Sequence, residues 1–524
     1  MPNHRTGAAP GATPGDKARG GTSAKLPDFV VVSNRLPVEQ GPDGRLRWHQ
    51  SPGGLVSALQ PAVAKSGGAW VGWAGQAAEA REGGDGDAGL PSSTRPRGGL
   101  PDDGPPWGAL IEPEGVYAVP VELSEDDLAN YYEGFCNATL WPLYHDVIAP
   151  PVYSRHWWHS YVEVNQRFAD AVAACAAQGA TVWVHDYHLQ LVPSMLREMR
   201  PDTQIGFFIH IPFPPLELFA QLPWRSEVVE GLLGADLVGF QTAQGAVNFL
   251  RVCRRFTGHH TQGSLIQLKP RPGAPQRLSR VGTFPISVDG EELSELAQRP
   301  ETAERARQIR EQLGSPEVLL LGVDRLDYTK GLVHRLRAYG ELLKEERLRP
   351  PEAVLVQVAS PSRGEVEQYR LLREELERVV GSINGDFSPV GHPAVHYLHQ
   401  SFPKEEMVAM YLAADVALVT PLRDGMNLVA KEYVASRFDE GGRLVLSEFT
   451  GAARELNVGA FLCNPHDIDA TKSQIMKAVT ARKADASRRM RRMRQKVFDH
   501  DVHRWAAEFL GALECSAAPP QPDR

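Results

Sequence analysis

Along this chain, runs of β-branched and aromatic residues alternate with stretches in which apolar residues recur every three to four positions. The pattern is plainest in "ATVWVHDYHLQLVPSMLREMRP", "TQIGFFIHIPFPPLELFAQLP" and "ADLVGFQTAQGAVNFLRVCRRF", each an apolar strand, a short loop and a helix. An earlier strand, "DFVVVSNRLP", leads into the glycine pair of "SPGGLVSALQPAV", and a helical region runs from Ser124 through "NYYEGFCNATLWPLYH" to "WWHSYVEVNQRFADAVAACAAQG". After "VGTFPISVD" and a helix rich in Arg and Glu, a second series begins with "VLLLGVDRLDYTKGLVHRLRAYGELL". It continues through "EAVLVQVASPSRGEVEQYRLLREELERVV" and "VALVTPLRDGMNLVAKEYVASR" to "RLVLSEFTGAARELN". Alternation of this kind builds parallel sheets with helices on both faces. It predicts an α/β protein of two doubly wound, Rossmann-like domains facing each other, at 27–285 and 286–495. The length of 524 residues also exceeds what one core usually holds.

The remaining segments read differently. "VHRWAAEFLGALE" places Val502, Trp505, Phe509 and Leu513 on one helical stripe, so 496–515 is expected to pack back on the domains. Residues 1–26 and 516–524 are expected as disordered tails, and 77–108, loaded with Gly, Pro and Asp, as a flexible excursion. A formal charge of -8 argues against a general partner of nucleic acid or anionic membrane, and no segment has the length of a membrane span. The basic run "RRMRRMRQK" reads as a solvated helix face. Five scattered cysteines suggest neither a disulfide framework nor a zinc ribbon, which fits a reducing cytoplasm.

In open parallel sheets ligands sit beyond the carboxyl ends of the strands. Those ends carry Arg35, His185, Asp186 and His210 in the first series, and Arg325, Lys330, Arg363 and "RDGMNLVAKE" in the second. So many cations at strand ends imply a polyanionic ligand between two domains. Arg325 and Lys330 suit a diphosphate, the first as a planar fork and the second as a point charge. The "RDGMNLVAKE" loop runs into a helix whose first amides are unsatisfied and are able to hold phosphate. Glu432, about one turn in, is placed for a ribose diol, and Asp424 for a hydroxyl; as plain structure they read as a solvated helix residue and an N-cap. His185, Asp186 and His188 lack a completing ligand for a metal, and no P-loop, dinucleotide fingerprint or nucleophile elbow is present.

Taken together, "VVSNRLP", "SPGGL", "WVGWAG", "YYEGFCNATLWPLYH", "VWVHDYHLQLVP", "GFFIHIPFP", "LLGADLVGFQT", "GVDRLDYTKGL", "SPSR" and "LRDGMNLVAKEY" resemble the trehalose-6-phosphate synthase family, retaining glycosyltransferases of GT-B fold. The resemblance runs from about Asp28 to Leu513. It implies transfer of glucose from a nucleotide diphosphate glucose, a cosubstrate and not a bound cofactor, to glucose 6-phosphate, without a metal. Carried over by residue, Arg325 and Lys330 would bind the donor diphosphate, Glu432 its ribose, and Met426, Asn427, Leu428 and Val429 the phosphates and donor sugar. Asp424 and His210 would hold donor-glucose hydroxyls, and Gly54 would lie on a loop closing over the donor. Arg35, Tyr132, Trp141 and Arg363 would form the acceptor phosphate pocket, with Trp73 and Asp186 near the acceptor sugar. Members of the family often associate into homo-oligomers, and they differ in the donor base. A catalytically silent sugar-phosphate sensor and an enzyme using a cyclitol acceptor are the competing readings.

Overall fold

The computed structural model describes residues 25–40, 46–48, 59–60, 63–75, 108–111, 115–270, 276–362 and 366–516. Of the segments expected to be flexible or disordered, 77–107, 517–524 and 1–24 lie outside them.

The apolar runs become two sheets. In the first, β1 (Phe29–Arg35) lies between β4 (Ala69–Trp73) and β7 (Thr181–His185), parallel to both. Beyond β7 follow β8 (Gln204–Ile209), β9 (Leu237–Phe240) and β12 (Leu278–Thr283), and beyond β4 comes β6 (Val116–Pro120), all parallel. Short antiparallel strands flank this body: β5 (Ala109–Ile111) at one edge, β11 (Leu265–Gln267) and β10 (His260–Gln262) at the other. A separate hairpin pairs β2 (Val38–Gln40) with β3 (Leu46–Trp48).

The second sheet is wholly parallel. Its strands are β13 (Val318–Arg325), β14 (Ala353–Ser360), β15 (Val395–Leu398), β16 (Val416–Val419), β17 (Arg443–Ser447) and β18 (Phe461–Cys463). They stand in the order β15-β14-β13-β16-β17-β18, the doubly wound order whose direction reverses between its first and fourth strands. Chain direction across the first sheet likewise diverges between β1 and β7. Both reversals open crevices at carboxyl ends, one flanked by Arg35 and Asp186, the other by Arg325 and Asp424.

The segment 128–140 does not form the ordinary helix that the sequence suggests. It is wound as a π helix, closed by the Trp141 amide donating to the Cys136 carbonyl, five residues back. Windings of this kind are uncommon and occur at functional sites. Tyr131 in it is fully buried and donates to Asn34 Oδ1 at 2.7 Å, so the segment is tied to the end of β1.

The chain then crosses back. The helix Lys483–Asp499 covers the second domain through Met490, Met493 and Val497. Four of its arginines have partners: Arg488 and Arg489 pair with Asp485, Arg491 with Glu440, and Arg494 donates to backbone carbonyls. The next helix, Val502–Glu514, lies on the first sheet. Phe509 stacks on Trp183 with centroids 4.3 Å apart. This approach requires Gly206 and Gly239 in the strands, since a Cβ at either would lie 2.7 Å from the Phe509 ring. Trp505 donates to the Phe284 carbonyl at 3.1 Å. Replacing so large a buried aromatic leaves a cavity, so Phe509→Ala is expected to cost about 3–5 kcal/mol. Urea unfolding read through tryptophan fluorescence checks this; a loss below about 1 kcal/mol would mean the helix is peripheral.

No helix among the described residues is long and apolar enough to cross a membrane.

Candidate active site

At the β13–β16 crevice the two loops are stitched together. The Leu422 amide donates to the Thr329 carbonyl at 2.7 Å, and Gly331, at φ 65°, has no room for a Cβ, which would lie 2.2 Å from the Thr420 carbonyl oxygen. Below them Arg335, fully buried, donates to Asp324 at 2.6 Å, Gln357 at 2.9 Å and Thr420 at 3.0 Å, joining three strands. Asp327 is also fully buried and caps the turn Tyr328–Lys330 by accepting from the Thr329 amide and hydroxyl.

This frame presents two cations. Lys330 Nζ donates to Asp424 Oδ2 at 2.6 Å, and Asn427 Nδ2 joins the same oxygen at 3.1 Å. Burial works against a charge on Asp424, but the Lys330 ammonium and these hydrogen bonds outweigh it, and the carboxyl stays below its usual range. Arg325 remains half-exposed, 3.8 Å from Asp327, with its guanidinium 5.3 Å from the Trp141 ring of the first domain. Asn427, at φ 77°, caps the helix Leu428–Ser436 by accepting from the Ala430 amide, leaving Leu428 and Val429 to open it. The N-cap is therefore Asn427, not Asp424, which is free to face the crevice. Met426 is buried beside them.

Glu432 accepts from the Tyr411 hydroxyl at 2.9 Å, and burial raises its carboxyl above the usual range. The resemblance implies a donor ribose at Glu432, whose hydroxyls would donate to the ionised form, and that form is lost as pH falls, here sooner than for an ordinary glutamate. The KM for the nucleotide sugar is thus expected to climb on acidification, beginning above the usual carboxylate range, and Glu432→Gln to flatten that climb. A profile identical in both forms would remove Glu432 from the donor site.

The first domain supplies the opposing wall. The Arg35 guanidinium lies 5.7 Å from the Trp73 ring, Trp73 is 6.4 Å from Tyr132, and Tyr132 stacks on His188 at 5.8 Å. Asp186 sits at φ 73°, an uncommon backbone for a residue with a side chain, and its Oδ1 accepts from the His210 amide at 3.2 Å. His210 Nε2 is 3.1 Å from His185 Nδ1, and burial lowers His210 to about 3.

The walls touch at a glycine. A Cβ on Gly425 would lie 2.3 Å from the His210 carbonyl oxygen, so Asp424 and His210, from different domains, are brought together. Beside this contact Arg423 bridges to Asp146 at 3.1 Å, where Asp146 and Val147 both hold left-handed backbone. His145 Nδ1 donates to the Trp141 carbonyl at 2.8 Å; burial lowers its pKa to about 4, against the pull of Asp327.

Gly54 and Arg363 lie outside the described residues. Sequence reasoning passed over His145, Asp146, Arg335 and Arg423. For His145, Asp146 and Arg423 the only signal was position within "WPLYHD" and "LRDG", and Arg335, inside the helix Leu332–Lys344, gave none; their roles come from contacts between domains or beneath the site. Among the described residues no three His, Cys, Asp or Glu side chains gather as a metal site.

Two doubly wound domains that close a cationic strand end against a histidine and aromatic wall define a glycosyltransferase of the GT-B type. The chain belongs to glycosyltransferase family 20, whose model matches residues 27–515, and it is an enzyme of the trehalose-6-phosphate synthase class. It is 56% identical over 491 residues to trehalose-6-phosphate synthase of Mycolicibacterium smegmatis, covering 93% of this chain and 92% of that one. A Burkholderia xenovorans α,α-trehalose-phosphate synthase (UDP-forming), solved in complex with glucose-6-phosphate, superposes with a TM-score of 0.80 at 33% identity, over 93% of this chain and 99% of that one. A structure from E. coli bound with UDP-2-fluoro glucose gives 0.80 at 32% identity, over 94% and 100%.

Proposed function

We propose that the protein transfers glucose from a nucleoside diphosphate glucose to the anomeric hydroxyl of glucose 6-phosphate, giving α,α-trehalose 6-phosphate with retention at the donor carbon. The observation that carries this reading is the Lys330–Asp424 pair at the second crevice, set against His210 across Gly425. Arg325 and Lys330 neutralise the departing diphosphate, the opening amides of Leu428–Ser436 hold its phosphates, and Asp424 and His210 take donor hydroxyls. Asp424 keeps Lys330 in place before the donor arrives and then shares it with the diphosphate. Arg35, Tyr132 and Trp141 receive the acceptor phosphate, and Trp73 and Asp186 border the acceptor sugar; the family resemblance alone adds Arg363 to the phosphate contacts and Gly54 to the donor contacts. The relatives solved with glucose-6-phosphate and with UDP-2-fluoro glucose support the two substrates of this reading.

With Asp186 and Asp424 engaged in binding, no carboxylate serves as nucleophile. The acceptor oxygen attacks the anomeric carbon from the face the diphosphate leaves, and a departing phosphate oxygen takes the acceptor proton. The cations hold the partners close enough for this.

A coupled assay tests the reading: nucleoside diphosphate is expected only when both sugars are present, at rates unchanged by EDTA. Release without the acceptor, or rescue of an EDTA-treated enzyme by Mg²⁺, would refute the mechanism. Initial rates with UDP-, GDP- and ADP-glucose assign the base.

A further inference from the structure

His185 ends β7, and His210 follows β8 on the neighbouring strand. His185 Nδ1 and His210 Nε2 are 3.1 Å apart with the rings inclined at 31°. Burial keeps both imidazoles uncharged, lowering His210 to about 3 and His185 well below its usual value, the latter aided by its neighbour. Two neutral rings sharing one contact carry one proton there, so one donates and the other accepts.

The surroundings decide which. His185 is 1% exposed, and its Nε2 is buried with no hydrogen-bond partner among the described residues. Its ring packs 4.7 Å from Trp183, which is stacked on Phe509 of the last helix. If His210 donated, His185 would need its proton on Nε2, an N–H buried against this aromatic layer without an acceptor. Orphaned buried donors are rarer than under-satisfied acceptors. His210, by contrast, is only partly buried and stands beside the interdomain contact at Gly425.

We propose that His185 is a positioning residue for glucosyl transfer: its Nδ1–H donates to His210 Nε2, so that His210 keeps Nδ1–H as the donor offered to a hydroxyl oxygen of the donor glucose. This rests on His210 lying in the donor-sugar site. The tautomer of a contact histidine is set by what its other nitrogen does. His185 thereby connects the aromatic layer of the C-terminal helix to sugar recognition without touching the sugar.

The experiment uses the full chain in three variants. His185→Leu removes the donor, His185→Asn keeps an amide near the Nδ1 position, and His210→Ala removes the contact residue. His185→Leu is expected to lower kcat/KM for the nucleoside diphosphate glucose that the wild type uses best by about tenfold to a hundredfold, the scale for losing a group that orients a ligand-bearing histidine. The KM for glucose 6-phosphate should stay within about twofold, and His185→Asn should recover most of the loss. Histidine ¹⁵N spectra of the wild type, assigned by loss of the signal in His210→Ala, should show His210 Nε2 unprotonated and Nδ1 protonated. Protonated Nε2 on His210 would overturn the proposal, as would equal losses in His185→Leu and His185→Asn, or no loss in either. If His210→Ala itself leaves donor turnover intact, it is the donor-site reading that fails, whatever His185 does.

Discussion

Lys330→Ala is expected to lower kcat by about two to three decades while leaving the fold intact. The ammonium is held at 2.6 Å by Asp424 in a site largely closed to water, so in the proposed reaction it would meet the developing charge of the diphosphate without first having to be ordered. Removing one preorganised donor of this sort costs on the order of a hundred- to a thousandfold. The substitution also strips Asp424 of its counter-ion. Its carboxyl would then rise under burial and lose the ionised form that accepts sugar hydroxyls. Steady-state kinetics with saturating sugars, beside the thermal unfolding of each form, checks the prediction. Full turnover in a folded Lys330→Ala protein would remove the cation from the leaving-group site. Loss of turnover with loss of fold is distinguished by Lys330→Arg, which keeps the charge and is expected to retain more activity than Lys330→Ala.

The second large effect concerns the acceptor phosphate. Arg35 projects from the end of β1 beside Trp73 and Tyr132, and the close approach of Gly75, whose Cβ would lie 2.8 Å from Arg35 Nη2, fixes the path of the guanidinium. A charge-assisted contact to phosphate contributes about 1.5–3 kcal/mol, so glucose in place of glucose 6-phosphate is expected to lose at least about two decades in kcat/KM, because it also leaves cations unpaired. Arg35→Ala should damage turnover with glucose 6-phosphate much more than the residual turnover with glucose, compressing the ratio between the two. An unchanged ratio would place the phosphate away from Arg35.

What the sequence disclosed follows from where the information is local. The apolar runs of "VLLLGVDR" and "TVWVH" announce strands because a buried parallel strand needs such residues on both faces. Once the strands are known, strand-end residues such as Arg325, Lys330, Asp186 and His210 are found by the rule that ligands sit beyond carboxyl ends. The stripe Val502, Trp505, Phe509 and Leu513 was equally legible, and all four are fully buried.

Contacts made between distant segments were not legible. Nothing in "LWPLYHD" says that Trp141 will lie under Arg325 or that Asp146 will meet Arg423, since those pairs exist only when two domains face each other. The π winding of 128–140 has no periodic signature separate from an ordinary helix. Asp424 as counter-ion of Lys330 was likewise hidden, because the pair spans ninety-four positions of sequence and depends on the strand order that sets β16 beside β13. The same holds for Gly425: its need for no side chain comes from a carbonyl at His210 in the other domain.

The most direct test is a turnover experiment on the wild-type chain in excess EDTA with glucose 6-phosphate and whichever of UDP-, GDP- and ADP-glucose gives the highest initial rate, its products analysed by NMR. The expected product is α,α-1,1-linked trehalose 6-phosphate, formed in step with nucleoside diphosphate at the rate seen with Mg²⁺. A disaccharide phosphate of inverted configuration, or none until metal is restored, would contradict it.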